Sequence, residues 1–375
     1  MLTKIWRDLR LSFVSEYQLR ARIHDNLERF PERHRDRVLG LAKRHDHLSE
    51  LAAAFPALLF ALAITENEAC AVEVEQAIVD GRPLADLAAI ASVPLWLRKL
   101  PPEAFSERIP ELPDDADFRR RIGNHLPDTD KAEKWLEMVG GGYKWCDREF
   151  AIWTARQACA GTSLCKACMF RLALYAWFSG HPDTKAGRLI HTRWHKKMTN
   201  DAAKEAQNKW REDLRVFLLL ESVEPERPWI EPVREGTFTF EPILTAQQLI
   251  EESHAMNNCL RSYADEIATR EDQFWVVRKN GKRVAHLCIG TQWNQPLPSI
   301  TEIHGPDNQE VAEDVFRAAR DWFNKSDLPD LRPNVRQLSD AMNNRKVWSQ
   351  FWRPYWLEKR CLPPELPMIP SLDII

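Results

Sequence analysis

The sequence predicts a mainly α-helical protein with a small α+β domain near its C-terminal end, and two observations support this fold class. Apolar residues recur at helical spacing through residues 1–100, where prolines interrupt them at intervals that suit short helices. Further on, two β-branched and aromatic runs, 273–278 and 283–289, flank Asn280-Gly281, a pair that readily adopts the positive φ angles of a two-residue turn. We therefore expect helical N-terminal and central regions, followed by a domain built as helix, β-hairpin, strand and helix.

Length and Pro-rich segments predict the domain organisation. A chain of 375 residues and 43.6 kDa can bury a large core and is expected to divide into two or three domains. The first helical domain has Ile5, Leu9 and Phe13 at helical spacing and ends in the Pro-rich, acidic segment 101–127. The predicted divisions are a helical N-terminal domain at 1–127, a helical Cys-rich region at 128–223, a linker at 224–235, an α+β site domain at 236–330 and an aromatic, basic tail at 331–375.

The net charge and the hydropathy of the sequence argue against an overall basic nucleic-acid-binding protein and against a secreted or membrane-spanning one. The formal net charge is -3, so no overall basic field predicts nucleic-acid binding, and such binding needs a local patch. The N-terminal residues lack the uninterrupted apolar core of a signal peptide. The longest uncharged run, 51–65, is too short to span a bilayer and contains Pro56. We expect a soluble, cytoplasmic protein with no membrane partner.

Four of the eight cysteines lie in one short segment and form a candidate metal site. Cys146, Cys159, Cys165 and Cys168 follow the spacing C-x12-C-x5-C-x2-C. A CxxC pair lets two sulfurs reach one ion, and two further thiolates complete a tetrahedral site for zinc or, as the alternative, an iron-sulfur cluster. The competing interpretation is that these cysteines are small buried hydrophobic residues.

A basic, His-containing segment follows and is expected to lie on one long helix or a pair of helices at 183–222. Within it, His191 and His195 have the i, i+4 spacing of a metal-binding pair, but no Glu follows the first histidine as in zinc proteases, and an ordinary helix surface is the favoured interpretation. A candidate nucleic-acid-binding patch, suited to phosphates with a tryptophan available for stacking, comprises Arg188, Arg193, Trp194, Lys196 and Lys197. The alternative is a solvated face beside a core tryptophan.

The site domain is predicted element by element. Thr245 and Gln248 are placed as the capping box of a helix, which puts His254 near the end of that helix. After the hairpin, residues 299–304 alternate as a strand does, so that Glu302 and His304 share one side of it. A turn then leads to an amphipathic helix at 311–323 that is expected to pack on the sheet.

This domain concentrates residues of chemically reactive types. The candidate catalytic residues are His254, Cys259, Tyr263, Glu302 and His304, and the candidate substrate-binding residues are Asn258, Arg261 and Asn308. Two kinds of chemistry remain open, a Cys259 nucleophile activated by a histidine, or acid-base chemistry by His304, Glu302 and Tyr263 on a phosphodiester or nucleotide. The structural alternative is a buried polar network in a non-catalytic binding adaptor.

At the same residues the chain resembles the PcfJ-like family of conjugative plasmids, phages and related mobile genetic elements. The resemblance covers about residues 240–325 and is carried by His254, Asn258-Cys259, Tyr263 and the stretch from Glu302 to Asn308. Glu302 and His304 stand where many relatives have Gln and Arg. The resemblance implies an accessory protein of a mobile element, with nucleic acid and other proteins of that element as partners. It implies no particular reaction.

The C-terminal tail interleaves aromatic and basic residues. Trp348, Phe351, Trp352, Tyr355 and Trp356 are expected either to stack on bases or to dock the tail onto the protein body. The sequence contains neither a P-loop nor the paired H-x-E and P-C-x-x-C motifs of zinc deaminases. An enzyme and an adaptor in a DNA-transfer or defence assembly therefore remain the two functional hypotheses.

Overall fold

A computed structural model describes residues 16–65, 68–162, 164–222, 227–290, 298–326 and 349–362. Helices dominate, and a small antiparallel sheet lies in the C-terminal part of the chain, so the predicted fold class is confirmed. The predictions for Ile5, Leu9, Phe13 and Trp348 lie outside the described residues. Within the described residues, no helix combines the length and the apolar character that crossing a bilayer requires.

The described residues divide into two compact units. The first contains the chain up to Trp177 together with Trp194–Ala203, and the second contains Phe178–Arg193 together with the chain from Lys204 onward. The domain boundaries expected from the sequence at 127, 223 and 330 stay predictions.

Short helices with sharp boundaries build the first unit. Its helices are α1 Glu16–Glu28, α2 Glu32–Ala42, α3 Asp46–Ala54, α4 Pro56–Ile64, α5 Glu68–Val79, α6 Leu84–Ile90, α7 Ala116–Ile122, α8 Ala132–Trp145, α9 Arg148–Cys159 and the start of α10 Lys166–Gly180. Pro56 occupies the first turn of α4, where the missing N–H costs nothing. Because α4 is apolar on nearly every side, it is buried at the centre of the hydrophobic core.

The close approach of α8 and α9 depends on a glycine. A Cβ at Gly142 would lie 2.9 Å from Thr154 Oγ1, so only glycine lets the two helices come this near. Asp147 begins α9 by accepting the Phe150 amide at 2.8 Å.

The segment 183–222 forms two helices, α11 Lys185–Arg188 and α12 Asn200–Ser222, and residues 189–199 between them are not helical. Side chains of the first unit hold the intervening backbone. Trp153 Nε1 donates to the Met198 carbonyl at 2.8 Å, and Arg156 Nη2 donates to the Lys196 carbonyl at 2.7 Å. His191 and His195 therefore do not share a helix face, and the disfavoured i, i+4 metal pair does not form.

The second unit contains a five-stranded antiparallel sheet in the order β1-β2-β3-β4-β5. Its strands are β1 Val233–Glu235, β2 Phe238–Pro242, β3 Asp272–Lys279, β4 Lys282–Gly290 and β5 Ser299–His304. The predicted hairpin is confirmed: Lys279 pairs with Lys282 across Asn280 (φ 52°) and Gly281 (φ 78°). The strand β1 falls in the predicted linker.

The sheet has two chemically different faces. One face buries Trp275, Leu287 and their neighbours against α15 Glu313–Asn324, whose Trp322 stacks on Phe240 at 4.4 Å. This confirms the expected packing of an amphipathic helix on the sheet. Because side chains alternate along a strand, the opposite face carries Phe274, His286, Cys288, Glu302 and His304.

The helix before the hairpin, α13 Ala246–Met256, begins and ends as its sequence indicates. Thr245 and Gln248 form a reciprocal capping box, and Asn257 ends the helix in the left-handed region at φ 48°. His254 consequently lies in the last turn, as expected. The 3-10 turn Leu260–Tyr263 and the short helix α14 Ala264–Thr269 follow and lead into β3.

The described part of the C-terminal tail ends in α16 Arg353–Lys359. Phe351, Trp352 and Tyr355 are fully buried within the second unit. Tyr355 lies 6.0 Å from the ring of Phe178, and Phe351 lies 5.7 Å from Phe217. These three aromatic residues dock the tail, and no base can stack on them in this arrangement.

Candidate functional site

The second unit gathers the predicted site residues into two clusters. We call the first the sheet-face cluster; it comprises Tyr263, Asp272, His286, Cys288, Glu302 and His304. We call the second the histidine-aspartate cluster; it comprises His191, Asp213, His254 and Arg261. The sequence placed His254 with His304, whereas the contacts of the two residues belong to different clusters.

Tyr263, Glu302 and His304 form the accessible part of the sheet-face cluster. The Tyr263 hydroxyl donates to both carboxylate oxygens of Glu302, at 2.9 and 3.1 Å. His304 Nε2 lies 4.0 Å from Glu302 Oε2, as expected for residues i and i+2 of one strand. Burial, followed by the hydrogen bond to Glu302, raises the pKa of Tyr263 above its usual value, which keeps the phenol protonated as a hydrogen-bond donor.

His286 lies beneath His304 and stays neutral. It is 2% exposed, and its ring lies 5.8 Å from the ring of His304, its partner across β4 and β5. Burial, with a smaller contribution from His304, lowers the pKa of His286 to about 4. Its Nδ1 lies 3.0 Å from Asn258 Nδ2, so Nδ1 accepts from the amide in the neutral ring.

Asn258 has a supporting position beneath the site. Its side-chain oxygen accepts the Leu260 amide at 3.2 Å, and its backbone carbonyl accepts from Ser253 Oγ at 2.9 Å. Asn258 therefore orients His286 and shapes the turn after α13, and its burial argues against its predicted role in substrate binding.

Asp272 and Cys288 extend the cluster along the same face. Burial first, and then the charge of Glu266, raises the pKa of Asp272 to about 6. Burial and the charge of Asp272 raise the pKa of the Cys288 thiol, so this cysteine stays protonated. Asp272 is thus a carboxyl group whose proton affinity suits acid-base chemistry near neutral pH.

Cys259 is exposed, and its contacts are with Asn308. Cys259 Sγ lies 3.8 Å from Asn308 Nδ2 and 4.0 Å from Oδ1. Among the described residues no imidazole lies within hydrogen-bonding distance of this sulfur, so the activating histidine expected for a Cys259 nucleophile is not provided by His254 or His304. Asp307 and Asn308 adopt left-handed backbone angles at φ 56° and 57°, and Asp307 accepts from Asn257 at 2.6 Å.

The histidine-aspartate cluster surrounds a buried carboxylate on α12. Asp213 is fully buried, and its Oδ1 accepts from Arg261 Nη1 at 2.7 Å. Its Oδ2 lies 3.0 Å from His254 Nε2 and 3.5 Å from His191 Nε2, and the two imidazole rings are 4.4 Å apart. Arg261 also donates to Ser253 Oγ, at 3.2 Å. Its guanidinium is therefore bound to Asp213, which argues against its predicted role in substrate binding.

The four cysteines of the predicted metal site do not converge. Cys165 and Cys168 have their sulfurs 2.7 Å apart, whereas Cys159 Sγ contacts the His125 carbonyl at 3.2 Å and Cys146 is buried. Within the described ranges, the one group of three or more metal-ligand side chains is His191, Asp213 and His254. Zinc or an iron-sulfur cluster at the cysteines stays a prediction, without geometric support.

The candidate nucleic-acid-binding residues are mostly exposed. Arg188 and Arg193 lie on the surface of the second unit, and Lys196 and Lys197 lie on the surface of the first. Trp194 packs at 5.5 Å from the Phe150 ring and at 6.3 Å from the Trp153 ring. This packing agrees with the core interpretation of the tryptophan.

Lys196 and Lys197 also line a cleft of about 260 Å³ in the first unit. Two more cations, Arg121 and Arg156, line it, against one carboxylate, Glu149. Hydrogen bonding to Arg121 lowers the pKa of Glu149, which therefore remains ionised and offsets part of the positive charge. The cleft keeps a surplus of cations that suits a phosphate group.

Comparison with protein-family models, with curated proteins and with solved structures finds no match.

Sequence reasoning missed Asp213, Asp272, His286 and Cys288, which belong to the two clusters. Asp213 lies 41 residues from His254 along the chain, on a helix with no motif. His286 was visible as a histidine in a predicted buried strand. A histidine in a buried strand beside the strand that carries His304 is the pattern that could have identified His286.

Proposed function

We propose that this protein is a cytoplasmic accessory protein of a mobile genetic element, and that the sheet-face cluster hydrolyses phosphodiesters of nucleic acid. The observation that carries the proposal is the convergence of Tyr263, Glu302 and His304 on one accessible strand face above a neutral, buried His286. The mobile-element setting rests on the resemblance to the PcfJ-like family at these same residues.

The three side chains have distinct parts in this reaction. His304 takes a proton from water as the water oxygen attacks phosphorus and the bond to the leaving oxygen breaks. Solvent water supplies a proton to the leaving oxygen on the opposite side of phosphorus, and His304 returns its proton to solvent, so hydrolysis needs no other reactant. Glu302 stabilises the protonated imidazole, and the Tyr263 hydroxyl, kept protonated, fixes the orientation of the Glu302 carboxylate.

The basic cleft of the first unit supports nucleic acid as the substrate class. Arg121 and Lys196 pair with Glu149, so Arg156 and Lys197 are the cations of the cleft that suit phosphates, and the overall charge of -3 means that such an attraction is local.

The test is a cleavage assay on single-stranded and double-stranded DNA and RNA. His304→Ala and Glu302→Gln are expected to lower the cleavage rate about 100-fold or more, the usual contribution of general acid-base catalysis. Matched controls are His24→Ala and Glu310→Gln, because both residues are exposed and lie outside the cluster. Cleavage that persists in both site variants contradicts the proposal.

A non-catalytic adaptor is the second candidate, and one observation favours it. The polar groups of the site satisfy one another: Asn258 with His286, Asn308 with Cys259 and Tyr263 with Glu302. Such mutual satisfaction is typical of a structural network. An adaptor binds nucleic acid or a partner protein without turnover, so wild-type protein that binds every substrate and cleaves none supports it.

A further inference from the structure

We infer that His191, Asp213 and His254 form a binding site for a divalent first-row transition metal ion such as Zn²⁺. The nearest ligand atoms of the three side chains all lie within 4.8 Å of one another. The inference does not depend on the proposed hydrolysis, because it rests on a different cluster.

The geometry of the two histidines carries this inference. Both direct Nε2 at the same oxygen, Asp213 Oδ2, at 3.5 Å for His191 and 3.0 Å for His254. His254 Nε2 lies at hydrogen-bonding distance from Oδ2 and His191 Nε2 lies slightly further away, so two imidazole nitrogens face one carboxylate oxygen. The side chain of His191 is 60% exposed and can be hydrated by water, yet its nitrogen is directed inward. Two imidazole nitrogens and one carboxylate oxygen facing a common centre are the arrangement that a metal ion occupies.

The contact of Asp213 Oδ1 with Arg261 fixes the orientation of the carboxylate for metal binding. Arg261 Nη1 holds Oδ1 at 2.7 Å, which fixes the plane of the carboxylate and leaves Oδ2 facing the histidines. Arg261 is itself held by Ser253 Oγ at 3.2 Å and lies 3.5 Å from Glu212, whose negative charge offsets the guanidinium. Arg261, with Ser253 and Glu212, thus holds the Asp213 carboxylate in position without a bound ion.

The ligand set indicates the kind of site. Three protein ligands leave at least one coordination position for water or a substrate oxygen, and the exposure of His191 and His254 gives solvent access to that position. Imidazole nitrogen with one carboxylate suits zinc, iron(II) and cobalt(II), and the absence of thiolate from this group excludes an iron-sulfur cluster at the same point.

The test titrates chelator-treated full-length protein with Co²⁺ and follows the visible absorption of the bound ion. Wild-type protein is expected to bind one equivalent at this site, without a sulfur-to-cobalt charge-transfer band, and to release it to Zn²⁺. His191→Ala is expected to weaken the affinity about 100-fold or more, since loss of an outer-shell partner alone costs about 10-fold to 100-fold. His191 is exposed, so this substitution leaves the fold intact.

Two control variants make the result decisive. His195→Ala removes an exposed histidine four residues away and is expected to bind cobalt as wild type does. The double variant Cys165→Ser, Cys168→Ser is likewise expected to retain the ion. Absence of cobalt uptake, uptake unaffected by His191→Ala, or uptake lost with the two cysteines overturns the inference.

Discussion

His286 shows how burial on the site face changes the chemistry of one residue. The fold lowers the pKa of His286 to about 4, whereas an unfolded chain has an ordinary imidazole pKa near 6.5. Between about pH 4 and pH 6.5, the folded protein therefore leaves His286 unprotonated, whereas the unfolded chain binds a proton there. The stability that this residue contributes is fully present above about pH 6.5 and is lost as the pH falls toward 4.

The first prediction compares the pH dependence of wild type with that of His286→Asn, which keeps an acceptor for Asn258. Between pH 7 and pH 5, wild type is expected to lose about 2 kcal/mol more of its free energy of unfolding than the variant does. Urea denaturation at the two pH values measures this difference. Equal losses in the two proteins contradict the burial of a neutral His286.

Asp272 changes the stability of the fold with pH in the opposite direction to His286. Its carboxyl pKa is raised to about 6, so the folded state holds a proton that the unfolded chain has lost above about pH 4. Stability from this residue is present at low pH and is lost as the pH rises through 6.

The second prediction is that Asp272→Asn is more stable than wild type at pH 8, by about 1 kcal/mol after allowance for partial exposure of the carboxylate. The difference is expected to shrink as the pH falls to about 4, where both side chains are neutral. Denaturation curves at the two pH values provide the measurement, and a difference independent of pH rules out the raised pKa.

At the scale of elements, the hairpin of β3 and β4 rests on a two-residue turn. Gly281 has a φ of 78°, a backbone conformation that costs other residues about 1–2 kcal/mol. The β4 strand that follows carries His286 and Cys288, so the turn also sets the register of the site face.

The third prediction is therefore that Gly281→Ala lowers the free energy of unfolding by about 1–2 kcal/mol. Gly305→Ala is the matched control in the same unit, because Gly305 has a φ of -83° and a Cβ there meets neighbours only at ordinary distances. Its expected effect is below about 0.5 kcal/mol. Denaturant titration of the two variants distinguishes the outcomes, and equal effects contradict this account of the turn.

The elements that sequence reasoning predicted are those specified by neighbouring residues. The turn at Asn280-Gly281 and the capping box of Thr245 and Gln248 each lie within four residues, and the structure has both. The non-helical segment 189–199 depends on Trp153 and Arg156, which lie about forty residues earlier, so local pattern could not predict it.

The same distinction holds for the site. Glu302 and His304 are two residues apart in one strand, and their shared side followed from strand geometry. The partners of His254 are Asp213 and His191, which only the fold brings near it. The sequence pattern therefore placed Glu302 and His304 together as the structure does, but it grouped His254 with His304, whereas the contacts of His254 lie in the other cluster.

At the scale of the whole molecule, the distribution of charge matters more than its sum. The chain has a net charge of -3, yet the cleft of the first unit is lined by four cationic side chains and one carboxylate. Phosphate binding through this cleft is expected to have the salt dependence of released counterions.

The fourth prediction is that Lys197→Ala lowers the slope of log affinity for single-stranded nucleic acid against log salt concentration by about 1. Lys43→Ala, which removes an exposed lysine outside the cleft, is expected to leave the slope unchanged. Fluorescence anisotropy over a range of salt concentrations measures both. Equal slopes in the two variants exclude the cleft as a phosphate-binding site.

Tyr263, Glu302 and His304 are proposed to form an active site and not to serve chiefly to hold the fold together. The most direct measurement is the free energy of unfolding of His304→Ala relative to wild type. His304 is half-buried, and its contact with Glu302 is 4.0 Å long, so its loss is expected to change the free energy of unfolding by less than about 0.5 kcal/mol. A loss of about 2 kcal/mol or more, as for a broken structural network, contradicts the claim.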